Sequence, residues 1–282
     1  MDPLALALVL VAAGAHAGWN LLAKQARGGV AFVWMNSVTT VALWWPAALV
    51  DAALQGGLSW AGAGFMAGSG ALHAGYFAAL QRAYSTGDLS VVYPLARGTG
   101  PALSVAAAVV VLGERPDAVA LAGGLLIVAA VLVLATPPAG ARRSAGTGAA
   151  ALTGLFIAAY TVWDAHAVTD LHQPPVAYLW GLTSCEVLLM APFAQRDRAA
   201  ISASRREDRR PILGVAVLSP LAYVLVLWAL TRAPVALVAP AREASVVVGA
   251  VLGVQVLGEG HAVRRVLAAT AIAAGIVALA VG

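Results

Sequence analysis

Arg97 and Arg242 lie inside long apolar runs, 145 residues apart in matching local sequence. The first context is Val92-Tyr93-Pro94-Leu95-Ala96-Arg97-Gly98. The second is Val238-Ala239-Pro240-Ala241-Arg242-Glu243. Each run closes on the same triplet, Leu112-Gly113-Glu114 in one and Leu257-Gly258-Glu259 in the other. An arginine at mid-bilayer costs at least ~2.5–3.5 kcal/mol on insertion scales, so it must face a partner or a watery cavity. In a helix starting at Asp88, Arg97 lies ~13 Å deep at 1.5 Å per residue. Two kinds of chemistry follow. The pair of guanidinium groups can hold the anionic group of a substrate, such as a carboxylate or phosphonate. Alternatively, each can be locked in an ion pair with Glu243, Glu186 or Asp164. Pro94 and Pro240 remove backbone donors next to the arginines, which loosens the helix and exposes carbonyls to a ligand.

Asp164 and Glu186 are carboxyl groups within apolar stretches. In a cavity such a group can relay protons, and beside an arginine it is a counter-ion. His16 and Asn20 stand four residues apart, on one face of a helix. Together with His73, Tyr76 and Tyr93 they can line a cavity that hydrogen-bonds a small polar molecule, or serve only as bonds between helices. Lys24 ends the first apolar run, where its ammonium can reach the headgroups. Glu114 and Glu259, each just before a new apolar run, suit N-terminal caps of the helices that follow.

The elements that must hold these groups are membrane helices. The chain has 282 residues, of which 61% are hydrophobic and 11% charged, with a mean hydropathy of +0.85. So few charges could not cover a water-soluble domain of this size. A span of hydrocarbon takes ~20 apolar residues, and ten such runs are predicted, at 4–23, 29–50, 60–83, 88–112, 118–137, 148–170, 174–194, 211–231, 235–257 and 262–281. The fold class expected is therefore an all-α integral membrane protein of ten transmembrane helices. The longest polar stretch, Gln195 to Arg210, is too short to be a domain, so function must reside in the helices. Small residues at spacings such as Gly64-x-x-x-Gly68 allow helices to approach closely. Cys185 is the only cysteine, which excludes an intramolecular disulfide. Met1-Asp2-Pro3 lacks the basic region and cleavage site of a signal peptide, so the first span is expected to be retained.

The matching halves divide the chain into a first five-helix repeat at 1–137, a linker at 138–147 and a second repeat at 148–282. A weaker match, at an offset of 144, sets His16-x-x-Trp19-Asn20 against Tyr160-x-x-Trp163-Asp164. Five is an odd number of crossings, so the second copy must be inverted, a plan that suits carriers with a midplane site between halves. Thirteen of the seventeen Lys and Arg fall in loops on one face. Arg115 and Arg232 fall on the other, and Arg97 and Arg242 lie within spans. The positive-inside rule then places the odd-numbered loops in the cytoplasm and both termini outside.

His16-Ala17-Gly18-Trp19-Asn20-Leu21-Leu22-Ala23-Lys24, the block Gly87 to Arg97 and the two Leu-Gly-Glu triplets resemble the drug/metabolite transporter superfamily, specifically its ten-helix members with two EamA domains. The opening also resembles a subgroup associated with phosphonate utilisation. The resemblance implies a multi-pass protein of the inner or plasma membrane that exports a small polar or amphipathic metabolite, such as an amino acid, organic acid or phosphonate. It also implies cytoplasmic termini, against the charge count, which we follow. The expected mechanism is alternating access coupled to protons. Arg97, Arg242, His16, Asn20, Tyr76 and Tyr93 would form the substrate site, with Asp164, Glu186 and Glu243 as coupling or ion-pair groups. The partners expected are the substrate, the lipid bilayer and protons; no nucleic acid, metal or cofactor is expected, and the chain would act as a monomer or weak homodimer. No His-Glu-x-x-His, phosphate-loop or Gly-x-Ser-x-Gly motif occurs. The alternatives to a carrier are a membrane-embedded enzyme acting on a lipid-linked substrate and a non-transporting scaffold.

Overall fold

The computed structural model of the chain describes residues 1–26, 29–86, 89–135, 146–245, 248 and 262–281. Those residues form helices and connections, with no strand among them. In chain order the helices are α1 Pro3–Lys24, α2 Gly29–Leu54, α3 Trp60–Thr86, α4 Leu89–Val111, α5 Ala118–Ala135 and α6 Thr147–Thr169. They continue with α7 Pro175–Ala194, α8 Arg198–Glu207, α9 Arg209–Leu230, α10 Val235–Ala241 and α11 Ala262–Val281.

Local chemistry sets many of the ends. Asp2 caps α1 through its bond from the Leu4 N–H, with Pro3 as the first helical residue. Pro174 and Pro175 open α7, and Asp117 accepts from the Val119 and Ala120 N–H groups at the start of α5. Among the described residues, five helices are long and apolar enough to cross a membrane: α1, α2, α6, α7 and α9. Shorter apolar stretches run over Gly98–Val111, Ala118–Val133 and Leu267–Val281. The ten expected runs therefore do not all reach that standard among the described residues. Ser69, His73, Gln81 and Arg82 dilute α3, and only seven residues of the ninth run form α10.

Two differences from expectation bear on function. Gln195 to Arg210, read only as a polar connection, contains α8 at Arg198–Glu207 and the start of α9, with the Asp197 carboxylate accepting the Ala200 N–H. The ninth run is broken. α10 ends at Ala241, and the next bonds run to the third residue back, Glu243 N–H to Pro240 O and Ser245 N–H to Arg242 O. Pro240 cannot donate, so the helix tightens and stops at Arg242. All seven residues of α10 are buried, and broken backbone at membrane depth is tolerated only inside protein or against a cavity.

α1 packs chiefly on α9, α2 on α7, α3 on α6 and α7, α4 on α5 and α6, and α5 on α11. One end of the bundle is tied by polar contacts that join distant parts of the chain. The Met1 ammonium donates to the Leu279 and Ala280 carbonyls. Asp51 accepts from the Val176 and Ala177 N–H groups at the start of α7. Glu114 accepts from the Val235 and Ala236 N–H groups at the start of α10, at 2.7 and 2.8 Å. Gly113 makes this possible by adopting φ +68°, which turns the chain toward α10. Glu114 is thus a helix cap, but for α10 rather than the helix that follows it. Glu259 lies outside the described residues.

A Cβ at Gly123 would lie 2.7 Å from the Gly275 carbonyl oxygen and 2.8 Å from the Ala278 Cβ, so the backbones of α5 and α11 meet directly there. Of the spaced pair Gly64 and Gly68, only Gly68 lies at a contact, under the Trp163 ring; nothing stands within 4 Å of a Cβ at Gly64. Apolar side chains cover much of the outside, Leu49, Val110, Leu188, Phe193 and Val277 among them, and Trp60 is 96% exposed. Exposed apolar surface of this extent calls for a nonaqueous surround.

Candidate functional site

Asp164 on α6 is completely buried, and both of its oxygens are occupied. The Tyr178 hydroxyl on α7 donates to Oδ1 at 2.7 Å, and the Tyr223 hydroxyl on α9 donates to Oδ2 at 2.5 Å. One buried carboxyl group thereby joins three helices. Tyr160, one turn earlier on the same face of α6, presents its ring to α3 and α9. The His73 ring stacks on it at 4.2 Å between centroids and meets Tyr223 edge-on at 5.6 Å. Tyr76 lies edge-on to Tyr160 at 6.0 Å. His73 Nδ1 is 2.9 Å from the Ser69 carbonyl oxygen, which sets the ring's orientation on α3.

Arg242 closes this cluster. Its guanidinium carbon stands 5.7 Å from the centroid of the Tyr223 ring, a cation–π position. Arg242 is also the C-cap of α10, where a cation is favoured by the helix dipole. The arrangement is an aromatic cluster with a cation over the face of the Tyr223 ring and a carboxyl group at its hydroxyl. It can orient a polar ligand, and it can couple the charge of Asp164 to the packing of α7 and α9.

The other expected residues are distributed unevenly. Glu186, 4% exposed, accepts from the Ser37 hydroxyl at 3.0 Å between α2 and α7. It stands eight residues beyond Tyr178, ~12 Å along α7, in a separate polar contact. Asn36 Oδ1 is buried without a hydrogen-bond partner. On α1, the Asn20 amide donates back to the His16 carbonyl at 2.8 Å, and the His16 ring meets Trp19 edge-on. Glu243 is buried beside Arg242 in the break after α10. The side chains of Tyr93 and Arg97, on α4, lie outside the described residues. Tyr178 and Tyr223 are missing from the sequence reading. They stand 14 and 59 residues from Asp164, and the only signal was that a tyrosine in an apolar run needs a partner for its hydroxyl.

An open cavity of about 560 Å³ lies on the face that carries the chain termini, lined by Leu4, Leu8, Val168, Gln173, Trp228 and Arg232 among others. Val168, which lines it, is one turn from Asp164 on α6.

Residues 144–281 match the EamA-like transporter family. The second half of the chain is thus similar to that family. The matched segment holds Tyr160, Asp164, Tyr178, Tyr223 and Arg242, while His73 and Tyr76 come from the preceding half. EamA proteins are transporters, and the match together with the apolar helices indicates a multi-pass membrane protein. One solved structure, described only as the crystal structure of a protein, superposes on this chain with a TM-score of 0.78. It is 17% identical and covers 98% of this chain and 96% of its own; at that identity the likeness concerns the fold alone. No curated protein matches the chain.

Proposed function

We propose that this protein is a secondary transporter that exports a small polar metabolite by alternating access, coupled to protons through Asp164. The observation that carries the reading is the fully buried Asp164 carboxyl group, held by hydroxyls from two other helices. A charge-bearing group is kept at such a position in a membrane protein for a task that offsets its desolvation. Binding a proton would weaken its acceptor strength toward Tyr178 and Tyr223 and so free α7 and α9 to shift. Arg242, with Arg97 from the first half, supplies the cationic side for a carboxylate or phosphonate. Tyr76, Tyr93, His16 and Asn20 shape the remainder, and Glu186 and Glu243 are secondary ionisable groups.

In this reading ten spans form two inverted halves, 1–137 and 148–282, joined by 138–147, in the inner or plasma membrane. The packing supports it: exchanging the halves exchanges the α1–α9 contact for the α3–α6 contact, and returns α2–α7 and α5–α11 to themselves. The open cavity is the access path on the face of the termini, which the loop charges assign to the outside.

The test is uptake into proteoliposomes under an imposed pH gradient, screening amino acids, organic acids and phosphonates, with Asp164→Asn for comparison. The variant keeps one acceptor and cannot exchange a proton. We expect saturable, gradient-driven uptake by the wild type and its loss in Asp164→Asn. Gradient-driven transport by Asp164→Asn at the wild-type rate would end the coupling role.

A further inference from the structure

The connection between the second half's second and third spans carries six arginines within fifteen residues: Arg196, Arg198, Arg205, Arg206, Arg209 and Arg210. All six are exposed. The three acids of the segment do not balance them. Asp197, the N-cap of α8, and Glu207 are exposed, while Asp208 is buried against the Ser204 hydroxyl, so two exposed acids stand against six exposed arginines. α8 is two-sided. Ile201, Ser204 and Asp208 follow one another at helical spacing on its inner side, where the helix packs on α2 and α9, while Arg198, Arg205 and Arg206 project outward.

Its tethers determine where that face can go. α7 ends at Ala194 and α9 begins at Arg209, both of them helices of membrane-crossing length, so only Gln195–Asp197 and Asp208 separate α8 from them. At ~3.5 Å per residue the longer tether reaches ~10 Å, which keeps α8 at the headgroup level. At the same level the Arg196 guanidinium stands 5.4 Å from the centre of the Phe193 ring, and that ring is itself exposed on the apolar flank of the bundle. A phenyl ring toward the acyl chains with a guanidinium above it is the arrangement of an interfacial anchor.

We propose that α8 and its flanking arginines form a platform that binds anionic phospholipid headgroups, so that the lipids around this corner of the transporter are selected by charge. Clusters of four to eight arginines on an interfacial amphipathic helix have that chemistry, each worth roughly a fivefold gain in association with an anionic surface. Guanidinium groups also pair with phosphate in a bidentate fashion. The inference does not depend on what the protein carries or in which direction.

The experiment is electron spin resonance of the full-length protein in phosphatidylcholine bilayers containing spin-labelled phosphatidylglycerol or spin-labelled phosphatidylcholine. The readout is the relative association of the two labels with the protein. We expect the wild type to prefer the anionic label several-fold. About 1 M salt, where the Debye length is about 3 Å, should abolish the preference. In the triple variant Arg198→Gln/Arg205→Gln/Arg206→Gln the preference should fall by about half or more, while the corresponding triple Lys variant should retain it. A melting temperature for the Gln variant equal to the wild type's in neutral bilayers would exclude misfolding as the cause. Equal association of both labels with the wild type, or a Gln variant that keeps the wild-type preference, overturns the proposal.

Discussion

Asp164 and Asn20 occupy equivalent positions in the repeated motif, yet their side chains are used differently. Asn20 donates to a carbonyl of its own helix, whereas Asp164 receives one hydroxyl from α7 and another from α9. The carboxyl group is therefore the point at which three helices of the second half are joined. Removing one donor leaves a buried carboxyl oxygen unsatisfied, which in a membrane bundle costs about 1–2 kcal/mol. We expect Tyr223→Phe and Tyr178→Phe each to lower thermal stability by an amount of that order. Their sum should not be additive, since both act on one acceptor. A melting curve for Tyr223→Phe that overlays the wild type would show that the bond contributes nothing. Asp164, Tyr76 and Arg242 could be picked out from the sequence because polar groups in apolar runs are conspicuous. Tyr178 and Tyr223 could not, because no local pattern links them to a carboxyl group 14 or 59 positions away.

The helices themselves were largely legible, since ~20-residue apolar runs and Pro, Gly and Asp boundaries act over one or two turns. Their contacts were not. Asp51 caps α7 and Glu114 caps α10, each from another part of the chain, whereas the sequence assigns Glu114 to the helix that directly follows it. α8 was missed because a ten-residue polar helix carries no span signal, and it holds its form through the Asp197 cap and its packing on α2. Glycine roles divide in the same way. Gly123 lies where the α5 and α11 backbones touch, while Gly64 faces open space. Gly123→Ala is expected to cost about 1–3 kcal/mol by overpacking, and Gly64→Ala to be neutral or stabilising by up to ~1 kcal/mol from helix propensity. Detergent melting of the two variants side by side reads this directly, and equal stabilities would mean that α5 and α11 separate at no cost.

At the scale of the molecule, the termini, Asp51, Glu114 and the cavity lined by Gln173 and Arg232 share one end of the bundle. α8 joins helices whose other ends lie there. In a Cys185→Ser background, a cysteine at Thr169 and a cysteine at Ala199 should therefore react with a membrane-impermeant maleimide from opposite sides. With the termini outside, Thr169→Cys is labelled in intact cells and Ala199→Cys only after lysis. The reverse pattern would overturn the orientation given by loop charges, and labelling of both from one side would overturn the arrangement of spans.

What the sequence by itself determined was the helical membrane class, most of the helix limits, the duplicated arginine context and the EamA resemblance. These rest on hydropathy, capping and motif spacing, which are properties of neighbouring residues. Only the tertiary structure decided that Tyr178, Tyr223, His73 and Tyr160 gather at Asp164 and Arg242, that Glu186 pairs instead with Ser37, and that the ninth run breaks at Arg242. A buried polar group must find its partner wherever helix packing delivers one, and that packing joins residues far apart in the chain.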